Sequence, residues 1–154
     1  MKYLKTYEAL NWITFKEWLF KHTEININST SINCRNYNLI DLNGIEEFTN
    51  LKYLYCHDNQ LKSLPDLSNL TSLEYLSCSN NQLTSLPDLS NLTNLKYLSC
   101  YDNQLTSLPD LSNLTNLNRL DCYSNKLPYR NLEEYLQWHK KTYPWIWNAK
   151  KFKL

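Results

Sequence analysis

The chain has 154 residues, with sixteen basic and fifteen acidic side chains, a formal net charge of +1. That balance excludes a charge-driven nucleic-acid protein, which would carry a basic stripe. No apolar run approaches the length of a membrane span, and the absence of a linker-like stretch predicts one domain over residues 1–154.

The opening segment, MKYLKTYEALNW, carries Lys2, Lys5 and Glu8 and lacks the apolar core of a signal peptide. An intracellular, cytoplasmic protein is the expectation. Thr14-Phe15-Lys16-Glu17 fits a capping box, with Ile13 and Trp18 placed as a hydrophobic staple. A short helix is predicted from about Phe15 to His22, with Trp18, Leu19 and Phe20 supplying apolar surface. Residues 1–28 read as an N-terminal helical cap.

From residue 29 to 127 the chain repeats itself. The five cysteines, Cys34, Cys56, Cys78, Cys100 and Cys122, are each 22 residues apart and are the whole cysteine complement. Such a period means one supersecondary unit stacked about five times. Leucines recur in step: Leu51, Leu54, Leu61, Leu64, Leu67 and Leu70, then Leu73, Leu76, Leu83, Leu86, Leu89 and Leu92. Copies start at Leu51, Leu73, Leu95 and Leu117. A degenerate copy at 29–50 keeps Ile32, Cys34, Leu39 and Leu42 but has Tyr37 in place of the asparagine. Leu54 and Cys56 alternate with Tyr53, Tyr55 and His57, the period of a strand with one buried face. Asn59, Asn81, Asn103 and Asn125 stand at the bend, where an amide can satisfy backbone donors and acceptors together. Pro65, Pro87 and Pro109 oppose a long helix on the back.

This L-x-x-L-x-C-x-x-N-x-L pattern resembles the leucine-rich repeat family, over roughly two thirds of the chain. It is similar to small leucine-rich repeat proteins of AT-rich large DNA viruses or microbes, a source that the abundance of Asn, Lys, Tyr and Ile also suits. The resemblance implies an α/β solenoid with a parallel sheet on its concave face. It places the strands at Tyr53-Leu54-Tyr55 and equivalents.

Beyond the repeats, Leu132, Tyr135, Leu136 and His139 follow helical spacing. Glu133 and Glu134 lie in the first turn and Lys140 and Lys141 in the last, which suits the helix dipole. Residues 128–154 read as a C-terminal helix and aromatic cap. The tail at 144–154, with Trp145, Trp147 and three lysines, folds back on the last repeat in this reading; an interfacial role at a membrane is the alternative.

Each cysteine occupies a core slot and is expected as a reduced thiol. In-register Cβ vectors run side by side, which disfavours disulfides, and no C-x-x-C pair suggests zinc. No cofactor is expected. The tripeptide Cys56-His57-Asp58 is no catalytic site in this reading, because neighbouring strand side chains point to opposite faces.

In the resembled family, ligands meet the concave face. Projected on this sequence, its first column is Tyr53, Tyr75, Tyr97 and Arg119. A second holds Tyr55, Ser77, Ser99 and Asp121. A third holds His57, Ser79, Tyr101 and Tyr123, and a fourth Asp58, Asn80, Asp102 and Ser124. The tyrosines, His57, Asp58, Asp102, Arg119 and Asp121 are the candidate partner-binding residues, since Tyr and Arg dominate many interfaces. The first tyrosine column could instead stack within the sheet; Tyr55, Tyr101 and Tyr123 depart from it and read as contact residues. The function expected is a non-catalytic, monomeric module binding a protein as adaptor, inhibitor or host-directed effector. A self-associating structural protein and a targeting subunit for a ubiquitin ligase or phosphatase are the alternatives.

Overall fold

The computed structural model describes residues 12–144. The tail from Trp145 onward, expected to act as a cap, lies outside them, as do residues 1–11.

Five three-residue strands form a single parallel sheet in chain order: β1 (Ser31–Asn33), β2 (Tyr53–Tyr55), β3 (Tyr75–Ser77), β4 (Tyr97–Ser99) and β5 (Arg119–Asp121). The pairing keeps the sequence period at every step: Ile32 faces Leu54, Leu54 faces Leu76, Leu76 faces Leu98 and Leu98 faces Leu120. Each coil therefore lies directly on the one before, and its leucines and its cysteine stack into columns. All five cysteines are free and fully buried.

From β2 to β5, the bend after each strand is held by its asparagine. Asn59 Nδ2 donates to the carbonyls of Cys34, Cys56 and His57, while its Oδ1 accepts from the Tyr37 and Leu39 amides. One side chain thus satisfies backbone groups of two adjacent coils that water cannot reach. Asn81, Asn103 and Asn125 repeat the arrangement. The position just before this corner takes a left-handed backbone in every coil, at Asn36, Asp58, Asn80, Asp102 and Ser124, with φ between 50° and 60°. Asn and Asp tolerate that conformation better than other residues with a Cβ. On the back of the coils, Asp66, Asp88 and Asp110 each accept from the amide of the serine two residues on, fixing the turn after the proline.

The N-terminal helix α1 (Phe15–Lys21) begins with the expected capping box, in which Thr14 and Glu17 exchange hydrogen bonds. Phe15 and Trp18 are buried against the first coil and stacked at 5.6 Å. Tyr37, which stands where later coils have asparagine, turns its ring edge to Trp18 at 5.7 Å and to His22 at 5.3 Å. Phe20 does not supply apolar surface to the cap: it is 85% exposed. It follows Phe15 by five residues, which turns it away from the face that Phe15 and Trp18 share.

At the other end, Cys122 donates its amide to the Arg130 carbonyl, and Asn131 bridges Asp121 in antiparallel sense. The chain thereby returns along β5 and covers that sheet edge. Helix α2 (Leu132–Thr142) follows, capped by Asn131. Its residues Tyr135 and His139 are buried, as is Tyr129 ahead of it, and its Trp138 packs against the core.

Candidate functional site

Along each strand the middle residue enters the core and its neighbours face outward, so β1 to β5 present one continuous outer surface. All eleven predicted contact residues lie on this surface or on the bend beside it. Among these eleven, Tyr53 and Tyr123 are the most open tyrosines, 39% and 43% exposed; Tyr55, Tyr75, Tyr97 and Tyr101 are half-buried.

Their rings are ordered by one another. Tyr55 meets Tyr75 at 4.9 Å and Tyr75 meets Tyr97 at 4.5 Å. Arg119 continues this row, its guanidinium 5.0 Å from the centre of the Tyr97 ring. A second group, Tyr101 and Tyr123, stacks nearly parallel at 4.6 Å. The rows therefore do not follow the sequence columns: Tyr55 leans across to join Tyr75, because Ser77 leaves room beside it. Stacking and exposure coexist here, so the two roles weighed for the tyrosines are not exclusive.

The three serines expected on this surface are sealed beneath it. Ser77, Ser79 and Ser99 are 6%, 0% and 2% exposed. Their hydroxyls are satisfied below the rings, Ser77 Oγ sharing a hydrogen bond with His57 Nδ1 at 3.1 Å and Ser79 Oγ with Ser99 Oγ at 2.6 Å. Small side chains in a parallel sheet are overshadowed by large ones on adjacent strands about 4.8 Å away, which a column-by-column projection misses. The projection also passed over Asn33 and Arg35, exposed on the first coil. They stand one period before Tyr55 and His57, and that spacing was the signal available.

Charge on this surface is locally paired. Asp121 Oδ2 accepts from the Tyr97 hydroxyl at 2.6 Å and from Arg119 at 2.9 and 3.0 Å. Burial pushes the Tyr97 phenol up, and the bond to Asp121 pushes it further. Asp58 accepts from Asn80 Nδ2 at 2.7 Å. Asp102 is exposed. Burial lowers the His57 pKa below its ordinary 6.5, partly offset by Asp58 and reinforced by Arg35.

Cys56, His57 and Asp58 do not converge as a nucleophile with its base. The Cys56 thiol is fully buried and points at the Ser77 carbonyl, 3.3 Å away, whereas His57 faces outward with Nε2 3.8 Å from Asp58. Burial raises all five thiol pKa values, those of Cys34, Cys78 and Cys122 to about 12, so the thiols are protonated at neutral pH. Among the described residues, no group of three or more His, Cys, Asp or Glu side chains could hold a metal ion. No helix among them is long and apolar enough to cross a membrane.

These features define a repeat solenoid with an aromatic strand face. A family model for tandem leucine-rich repeats matches residues 49–91 and 93–135. The chain belongs to the leucine-rich repeat family. Among solved structures, it is similar to the functional domain of InlJ from Listeria monocytogenes, described as including a cysteine ladder, at 44% identity over 64% of this chain and 21% of that one, with a TM-score of 0.60. A leucine-rich repeat protein from Leptospira interrogans is 30% identical over 72% of this chain and 29% of its own, with a TM-score of 0.65. YopM from Yersinia enterocolitica is 26% identical over 81% of this chain and 29% of its own, with a TM-score of 0.61. The chain thus spans no more than 29% of the length of any of these three. No curated protein matched. The leucine-rich repeat fold is a common scaffold for protein–protein interaction.

Proposed function

We propose that the chain is a non-catalytic recognition module that binds a protein partner across its concave strand face, as an adaptor, inhibitor or effector. The observation that carries this reading is the pair of pre-stacked, accessible tyrosine groups, Tyr55–Tyr75–Tyr97 and Tyr101–Tyr123. Tyrosine offers broad, amphipathic contact area with few rotatable bonds. Rings already fixed by their neighbours lose little further freedom on binding, which is where much of the cost of association lies. Arg119, held by Asp121 and Tyr97, supplies a fixed cation at one end of the patch, and Tyr53, His57, Asp58 and Asp102 complete the rim. Five free, buried thiols suit a reducing compartment such as a cytoplasm. A near-neutral net charge favours neither nucleic acid nor anionic lipid as the ligand.

The test is affinity capture with the wild type and a Tyr55→Ala, Tyr101→Ala, Tyr123→Ala variant that retains its circular dichroism spectrum. Selective loss of a bound protein is expected; an identical set of bound proteins removes the concave face from the reading.

A further inference from the structure

In the middle of the stack, the back of each coil is covered by the back of the next, and Leu64 and Leu86 are buried there. Thr106 to Asp110 is the same segment, 22 residues on from Thr84 to Asp88. No further copy follows it: the chain leaves the pattern at Pro128, and helix α2 stands where the next back would lie. Leu108 is accordingly only partly buried. The helix does not fill the space. A cavity of about 410 Å³ remains between this last back segment and α2, across the coils from the strand face.

The lining is aromatic and carries one fixed charge. Tyr129, Tyr135, Trp138 and Tyr143 contribute rings. Tyr129 and Tyr135 are buried, whereas Trp138 and Tyr143 stay half-buried. Trp138 lies 5.1 Å from Tyr129 and 5.9 Å from Tyr143, and it meets Tyr143 at 83°. Two rings at such an angle form a corner with π faces on two sides. Among the described residues, Asp110 is the only Asp, Glu, Lys or Arg in the lining. Its carboxylate accepts from the Ser112 amide and hydroxyl, at 2.8 and 3.0 Å, and the residue is exposed. Its charge is felt at the rings. Burial pushes the Tyr135 phenol up to about 12, a backbone hydrogen bond at Leu111 draws it partly back, and Asp110 raises it again.

We propose that this cavity binds a quaternary ammonium group, seated in the corner of Trp138 and Tyr143 with the Asp110 carboxylate beside it. The quadrupole of an aromatic ring draws a cation to its face, tryptophan most strongly. Asp110 adds an opposite charge that no lysine or arginine of the lining cancels. A bare ammonium is strongly hydrated, and in this corner its N–H groups would face carbon. A fully methylated one has no N–H to satisfy, and its methyl groups suit the apolar walls. The cavity falls in the size class of small-ligand sites, so it admits the head together with part of the chain that carries it. A free compound such as choline and a trimethyllysine side chain of a partner present the same head. The proposal is independent of what the strand face binds.

Choline and a trimethyllysine amide, titrated separately into the full chain at constant ionic strength with the Trp138 indole followed by NMR, test it. Saturable shifts of Trp138 are expected. The carbon analogue of choline, in which a tert-butyl group replaces the trimethylammonium, should bind at least about fivefold more weakly. Asp110→Asn should weaken choline by about threefold and leave the analogue unchanged. Asparagine still offers an acceptor to the Ser112 amide, so this variant keeps the turn. Tighter binding of the lysine derivative than of choline gives the site to a partner's side chain, and the reverse gives it to a free ammonium compound; either supports the proposal. The absence of a saturable shift with both cations overturns it. Equal affinity for choline and its carbon analogue, or choline binding unchanged in Asp110→Asn, overturns it as well, since the cavity would then select shape and not charge.

Discussion

Between β2 and β5 nearly every buried side chain meets a copy of itself on the next coil: leucine on leucine, cysteine on cysteine, asparagine on asparagine. At the ends, Trp18, Tyr37, Tyr129 and Tyr135 meet partners that occur once in the chain. The middle can use small, repeated groups because each coil supplies a flat apolar surface that fits its neighbour. The ends face no further coil among the described residues, so each covers a raw core surface with large rings whose shapes must match one site. Stability in the middle is therefore a sum of similar nearest-neighbour contacts, whereas each end depends on a few large side chains.

The sharpest way to break that contrast is at the N-terminal end. Trp18→Ala removes a fully buried ring stacked on Phe15 and His22. It should cost about 3–5 kcal/mol, the range for buried aromatic truncations. Denaturant unfolding read alongside hydrogen exchange should place the loss at β1 before β4; equal loss in both would make the molecule one cooperative block.

Asn59→Ala tests the repeated part. It leaves the Cys34, Cys56 and His57 carbonyls and the Tyr37 and Leu39 amides without their shared partner. A cost of about 2–4 kcal/mol is expected, from several buried groups partly rescued by water. Asn59→Asp should not restore it, since a carboxylate cannot donate to three carbonyls. Recovery of the wild-type unfolding midpoint in Asn59→Asp would contradict the bonding pattern.

The smallest effect concerns His57. Burial lowers its folded pKa below the ordinary 6.5, so the unfolded chain binds the proton more tightly. Its contribution is complete above pH 6.5 and is lost as pH falls through that value toward the lowered one. Urea unfolding between pH 7.5 and pH 5, each value a chosen condition at about one unit either side of the transition, should show a shallower acid dependence in His57→Gln than in the wild type. Parallel curves for the two proteins would remove His57 as the cause.

Much of the molecule was legible in the chain. A period of 22 residues assigns the strand register outright, because a parallel ladder between identical coils permits only one offset that keeps leucine on leucine. Thr14 and Glu17 announced the first helix, and the alternation around Cys56 announced which side chains are hidden. What the repeat could not state is how unlike neighbours on adjacent strands share space. Ser77, Ser79 and Ser99 occupy outward positions by sequence, yet the rings and His57 around them cover them. Tyr55 joins Tyr75 across a strand because a serine left the gap, and Phe20 faces outward because only one side of its short helix meets the core. Periodicity is a property of the backbone, copied in every coil. Which ring covers which hydroxyl depends on side-chain volumes across strands, which residues distant in sequence decide together only once the coils are stacked.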